Sequence, residues 1–462
     1  MDSTALNRLD SPAKNARSAS TPNIHTTLPT ELLSSIFLCL YKDPSIARAT
    51  DDLRNTHKLS SMMLVCKHWK EIIEYNPILW TDIWLVRGPE HIGFRDGWMT
   101  RLEALFRRSG TMSLTLTIAV AFVDLEDAVK ILFQYLPRCE TLVLHPLADL
   151  SVDWESWTTR PLQSLSTVHA ILSSPFPILR KLDIGSIGSQ LETEDDRRPL
   201  QLDAPNLRYL SSYSSRIIPF VKAYGTPPAH DCLESLSIAG GWDDVMEMLP
   251  LTTVTPPGLR SLSLAQTDDL WSILQVLETP NLECLVVDCG PAEWPPEVHT
   301  PTPVLNNLRK LTWYTHPDAT DEEANLRQLL QHCLNIEPFS YLYKQAEMFF
   351  ALPDPLIETQ DGSPRFCPRL RHLHLGCASF AEVRELVLMR PALEHVLLQY
   401  RKPGDSTIAH SKTAWRQQVD LVRWIKSKVE FEFERYGQVN VPRAGLEEEE
   451  GVWWDPRGSS LE

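Results

Sequence analysis

The chain has 462 residues, 43% hydrophobic and 23% charged, and its 44 basic against 60 acidic side chains leave a net charge of −16. Such proportions fit two to three folded domains, or one extended repeat domain behind a small module. They argue against a nucleic-acid binder, which needs a basic stripe. No Lys/Arg cluster overrides that balance. The nine cysteines show no C-x-x-C pair or metal-ligand spacing, no N-x-[ST] sequon occurs, and the polar N-terminus has no signal-like apolar region. No run of eighteen apolar residues is present. The expectation is reduced thiols and a cytoplasmic or nuclear location.

Residues 1–27 are rich in Ser, Thr, Ala, Asn and Pro, with almost no large apolar residues to offset the entropy of ordering. They read as a disordered arm. Leu28 opens LPTELLSSIFLCL, in which Pro29 and Glu31 suit a helix start. Leu32, Leu33, Ile36, Phe37 and Leu40 then recur at spacings of three and four, which predicts one apolar helix face. A second helical pattern runs from Leu59 to Tyr75 (Met62, Val65, Cys66, Trp69, Ile72, Ile73), stopped by Asn76-Pro77. A third apolar cluster follows in Ile78, Leu79, Trp80, Ile83, Trp84 and Leu85. Three such helices cannot bury this surface by themselves.

The ordered set Leu28-Pro29, Ile36-Phe37 with Leu40, Val65-Cys66-Lys67-His68-Trp69 and Leu79-Trp80 resembles an F-box, a three-helix module, over residues 28–85. The resemblance implies docking on a Skp adaptor and, through it, a cullin. It places that role on Leu28, Pro29, Leu32, Ile36, Phe37, Leu40, Val65, Cys66 and Trp69. The stretch Tyr41 to Lys58 is longer and more polar than a compact F-box has. It either loops out, at a cost that grows only logarithmically with length, or folds over the first helix.

Trp98 to Arg108 has helical spacing ended by Gly110, and Leu114 to Ile118 alternates like a strand. From there a loose L-x-x-L-x-L hexad recurs at Cys139, Leu179, Leu207, Leu233, Leu259, Leu282, Leu308, Leu370 and Leu393. From Leu179 to Leu308 the steps are 28, 26, 26, 23 and 26 residues. This period resembles leucine-rich repeats, in which each unit supplies a strand and a return segment. A degenerate unit is expected over Leu334 to Tyr343, and Pro177, Pro205, Pro280 and Pro391 each precede a strand. Helix-like apolar spacing is found over Val245–Leu249, Leu270–Leu277, Leu326–Leu334 and Phe380–Leu388, and Asp321 to Gln331 opens with an acidic first turn on a helix. Where leucine-rich repeats carry Asn or Cys after the hexad, this chain has Ile187, Thr267, Gly290 and Ala378. Its turns therefore need another way to satisfy their backbone groups, and the solenoid is expected to be irregular.

The expected fold class is thus α/β: an N-terminal three-helix F-box-like module, then an irregular leucine-rich-repeat solenoid over 86–410. Pro-rich stretches at Gly290–Pro303 and Leu352–Pro368 read as surface loops. Ser411 to Tyr436 reads as a C-terminal capping helix, with Trp415, Val419, Val422, Ile425 and Val429 on one face. Residues 437–462 form an acidic tail holding Trp453-Trp454.

No Walker loop, G-x-S-x-G, H-E-x-x-H or G-x-G-x-x-G occurs. His372 and His374 share a strand face but have no third metal ligand nearby in sequence, and Cys284 and Cys289 lack a partnered His. No enzyme activity, cofactor or metal is expected. In the repeat register the exposed concave row is Lys181, Asp183, Tyr209, Ser211, Ser235, Ser237, Ser261, Ser263, Lys310, Thr312, His372 and His374. Such a row suits a protein target held by shape and hydrogen bonds. The fold and motifs together resemble a fungal-type F-box protein, which implies a substrate adaptor of a Skp-cullin-F-box ubiquitin ligase serving proteasomal degradation. The alternative is a repeat scaffold or receptor whose N-terminal helices only cap the solenoid.

Overall fold

Helix α1, Thr30–Lys42, takes its register from the first turn, where the Leu33 amide donates to the Pro29 carbonyl at 3.1 Å. The computed structural model of the chain describes residues 28–42, 54–85, 95–119, 125–145, 165–185, 202–212, 232–239, 256–267, 273–274, 277, 279–289, 303–315, 322–343, 356, 359–360, 363–376, 378–400 and 412–435. All or most of the expected N-terminal arm, the Val245–Leu249 and Leu270–Leu277 returns, the Gly290–Pro303 loop and the tail with Trp453-Trp454 lies outside those residues.

The single helix expected over Leu59–Tyr75 is two helices, α2 (Arg54–Met63) and α3 (Lys67–Tyr75). The end of α2 tightens through the Leu64 and Val65 amides, which donate to the Ser61 and Met62 carbonyls at 3.2 Å. Cys66 is then extended and caps α3, its Sγ accepting the Trp69 amide at 3.4 Å. Apolar spacing alone runs through this break, because the two helices keep nearly the same phase. The third expected helix is instead a 3-10 turn, Pro77–Trp80, followed by strand β1 (Asp82–Leu85), whose Ile83 and Leu85 are buried. A period of two suits a strand, and Pro77 fixes the turn before it.

Beyond β1 the chain continues through α4 (Arg95–Arg108), β2 (Leu114–Ala119), α5 (Leu125–Tyr135), β3 (Cys139–His145) and α6 (Leu165–Leu172). Gly110 ends α4 at φ +57°, a left-handed conformation that glycine adopts at little cost. Single strands follow: β4 (Lys181–Asp183), β5 (Tyr209–Ser212), β6 (Ser235–Ala239), β7 (Ser261–Thr267), β8 (Cys284–Cys289) and β9 (Lys310–Thr315). Then come α7 (Glu322–Gln331), β10 (Pro338–Tyr343), a two-residue antiparallel pair β11 and β12 (Thr359–Gln360, Ser363–Pro364), β13 (His372–Gly376), α8 (Phe380–Met389), β14 (His395–Tyr400), α9 (Lys412–Lys426) and β15 (Glu430–Arg435). The expected degenerate unit is β10. The expected capping helix stops at Lys426, and Val429 leads instead into a further strand.

The main sheet has thirteen strands, in the order β1 to β10, β13, β14, β15, each parallel to the next. Its inward rows are apolar: Leu182, Leu210, Leu236, Leu262, Leu285 and Leu311 sit in register and are buried. Fully buried residues of α5, α7 and α8, such as Leu132, Leu329 and Leu386, complete the same core.

Before most strands the chain makes one turn. The amides of Leu179, Leu207, Leu259, Leu282, Leu308, Leu370 and Leu393 each donate to the carbonyl three residues back, at 3.0–3.3 Å. Asparagines in these turns bridge successive units. Asn206 donates to the Pro177 carbonyl, Asn281 to Pro257, Asn307 to Pro280 and Asn335 to Asn306, at 2.5–2.7 Å. This asparagine ladder at the strand entrances ties each of these turns to the unit before it.

The excursion before β13 is tied down by Arg390, which is 2% exposed and donates to the carbonyls of Leu356, Phe366 and Cys367 at 2.8–3.1 Å. At the other end, Tyr41 Oη donates to the Asp82 carbonyl at 2.8 Å. The Arg108 guanidinium lies 4.5 Å over the Trp80 ring and 3.6 Å from Glu74. The N-terminal helices and the sheet are therefore joined through β1. Replacing Asn281 and Asn307 by Ala leaves two carbonyls to water, and the expected loss is about 1 kcal/mol each. The check is a lower urea midpoint at an unchanged m-value.

Candidate interaction surfaces

Helix α1 carries two apolar stripes, not one. Leu33, Phe37 and Tyr41, spaced by four, are buried, with Phe37 fully so. Leu32, Ile36 and Leu40, also spaced by four, are 52%, 43% and 39% exposed. A step of one residue turns a helix by about 100°, so the two stripes face different ways. The inner one packs into the molecule, where the Phe37 ring meets Trp69 edge-on at 4.8 Å. The outer one covers nothing in this chain among the described residues.

Of the residues expected to dock an adaptor, Leu32, Ile36, Leu40, Val65 and Pro29 are exposed, whereas Leu28, Cys66 and Trp69 are half-buried. Phe37 has no surface to offer. It supports the outer stripe from behind. Cys66 is committed as the cap of α3, and Trp69 packs on Phe37. Leu64, at 86%, sits beside Val65 in the break between α2 and α3, and Tyr75 and Ile78 are 83% and 40% exposed at the far end of α3. Sequence reasoning missed Leu64 because it lies off the apolar stripe of a continuous helix. That helix does not exist.

The second surface is the outer face of the sheet. Strand pairing brings Lys181, Tyr209, Ser235 and Ser261 into one row and Asp183, Ser211, Ser237 and Ser263 into the next. Lys310 and Thr312 continue these rows through β8, and His372 and His374 through β10. The register aligns the twelve residues in two rows, but not as the exposed row that the sequence predicts. Their exposure differs. Only His372 is exposed, while Ser211, Ser235, Ser263 and Thr312 are buried. Short hydroxyl side chains between strands roughly 4.8 Å apart are shaded by their neighbours. The Ser263 hydroxyl, 3% exposed, has no hydrogen-bond partner among the described residues.

At the β13–β14 end, the His372 and His395 rings lie 6.1 Å apart. His374 is held down to about 4 by burial and, secondarily, by His395, so it is neutral at pH 7. Among the described residues no group of three His, Cys, Asp or Glu side chains is placed to hold a metal ion. Burial pushes the thiols of Cys139 and Cys367 up to about 12, which leaves them protonated and poor nucleophiles.

Below pH 6.5 an unfolded chain protonates His374 while the folded one does not. Stability is therefore complete above about pH 6.5 and declines as pH falls towards 4. Urea midpoints measured across that window should fall with pH, and His374→Gln should flatten the decline.

No helix among the described residues is long and apolar enough to cross a membrane. No curated protein matches the chain. Residues 25–86 match the F-box-like family model, so the helices that bear the outer apolar stripe form an F-box-like domain.

Proposed function

We propose that this chain is the target-recognising subunit of a Skp-cullin-F-box ubiquitin ligase, an F-box protein of the leucine-rich-repeat kind. The observation that carries the reading is the outer stripe Leu32, Ile36, Leu40, together with the exposed Leu64 and Val65, on a domain that matches the F-box-like family. A contiguous exposed apolar stripe marks a protein-binding surface, and F-box-like domains typically meet a Skp adaptor there. The sheet's outer face is the surface for the protein target. The part-exposed Tyr209, Ser237 and Ser261, two lysines, an aspartate and the histidines recognise the target there by shape and hydrogen bonding, with little electrostatic steering. The chain makes and breaks no bonds. It acts by proximity, raising the effective concentration of target lysines near a ubiquitin-charged enzyme carried by the cullin.

The join between module and sheet at β1 favours a second reading, a non-catalytic scaffold in which the same helices serve only as an end cap. Adaptor binding separates the two. Leu32→Glu with Ile36→Glu changes only exposed positions, so the fold should persist while adaptor affinity drops at least 100-fold. Co-expression with a Skp adaptor and gel filtration reads this directly. A well-folded wild type that forms no complex would leave the scaffold reading standing.

A further inference from the structure

The hexads of this sheet are nearly interchangeable. LRKL occurs twice, at Leu179 and Leu308, and LRYL, LESL, LRSL, LECL and LRHL differ from it at one or two positions. Their apolar rows therefore do not tell one neighbour from another. The residue after the first hexad position does. In chain order it is Glu140, Arg180, Arg208, Glu234, Arg260, Glu283, Arg309, Glu337, Arg371 and Glu394. These ten stand on successive rungs: each from Arg180 onward donates its amide to the carbonyl of the one before, at 2.8–2.9 Å. Their side chains pair across rungs, with Arg180–Glu140 at 3.4 Å, Arg208–Glu234 at 3.2 Å, Arg260–Glu283 at 3.7 Å and Arg371–Glu394 at 3.0 Å.

From Arg208 to Glu394 the sign alternates without a break. A strand that skips one unit then meets its own sign in all six cases, from Arg208 against Arg260 to Glu337 against Glu394. The same strand of a second chain, paired parallel and in register, also meets its own sign. Like charges directly opposite on neighbouring strands repel, whereas opposite charges attract. From Arg208 to Glu394 the true neighbour is therefore favoured over both the one-unit skip and the in-register second copy.

We propose that this alternating ladder is a register code, a device that selects the order of otherwise equivalent units during folding and opposes in-register self-association. Its worth lies in discrimination, since exposed ion pairs of this kind contribute little to the stability of the finished fold.

The test is refolding of the full chain from urea at low ionic strength, with recovered monomer read by gel filtration. Replacing all eight rungs from Arg208 to Glu394 by Gln should lower monomer yield at least threefold, while the recovered monomer keeps nearly the wild-type urea midpoint. Exchanging Arg for Glu and Glu for Arg at the same eight rungs preserves alternation and should refold like wild type. In 1 M NaCl, where screening acts within about 3 Å, the wild-type yield should fall to that of the Gln ladder, itself insensitive to salt. A Gln ladder that refolds with the wild-type yield overturns the proposal. So does a yield loss that merely follows a loss of midpoint, or a wild-type yield that salt leaves unchanged.

Discussion

The structure depends on a continuous apolar layer that no single unit can close. The strands of the main sheet contribute inward side chains that are buried because neighbouring strands and the helices behind them complete one core. Truncating one such leucine to Ala costs about 2–5 kcal/mol, which a single short strand cannot recover from its own contacts. The layer must therefore be long, parallel and covered at its ends. At the N-terminal end that cover is the F-box-like domain itself, whose last piece is the sheet's first strand. Tyr41, Trp80 and Arg108 fasten the helices to it. An adaptor seated on α1 would thus be held in a set orientation to the sheet.

Helix α1 meets these demands with two neighbouring stripes. Leu33, Phe37 and Tyr41 belong to the fold, and Leu32, Ile36 and Leu40 are left over. A partly exposed apolar stripe is a liability unless a partner covers it, and on this stripe the proposed adaptor contact rests. The break at Leu64–Cys66 likewise leaves Leu64 and Val65 exposed.

The sheet's outer face has a different chemistry. Its hydroxyls are short and largely shaded, its charges are mixed in sign, and His374 is neutral at physiological pH. The Cys139 and Cys367 thiols are protonated, and Arg390 donates through Nε and Nη1 to backbone carbonyls.

By itself the sequence determined the repeat. The hexads set which residues point inward, the prolines before them set the turns, and their spacing of 23 to 28 residues set the parallel order. It also marked the F-box-like domain, because Leu28-Pro29, Val65-Cys66 and Leu79-Trp80 are local signals. Only the tertiary structure decided which of two adjacent stripes on α1 is buried, since periodicity reports that a face is apolar and not whether anything lies against it. The same holds for β1 and β15. Leu79–Leu85 and the end of the predicted capping helix fit helical spacing, but the free edge of a sheet offers their backbone groups partners that local pattern does not reveal. The asparagine ladder was present in the letters as Asn206, Asn281, Asn307 and Asn335. It becomes legible once stacking brings each side chain to the carbonyl of the unit before it.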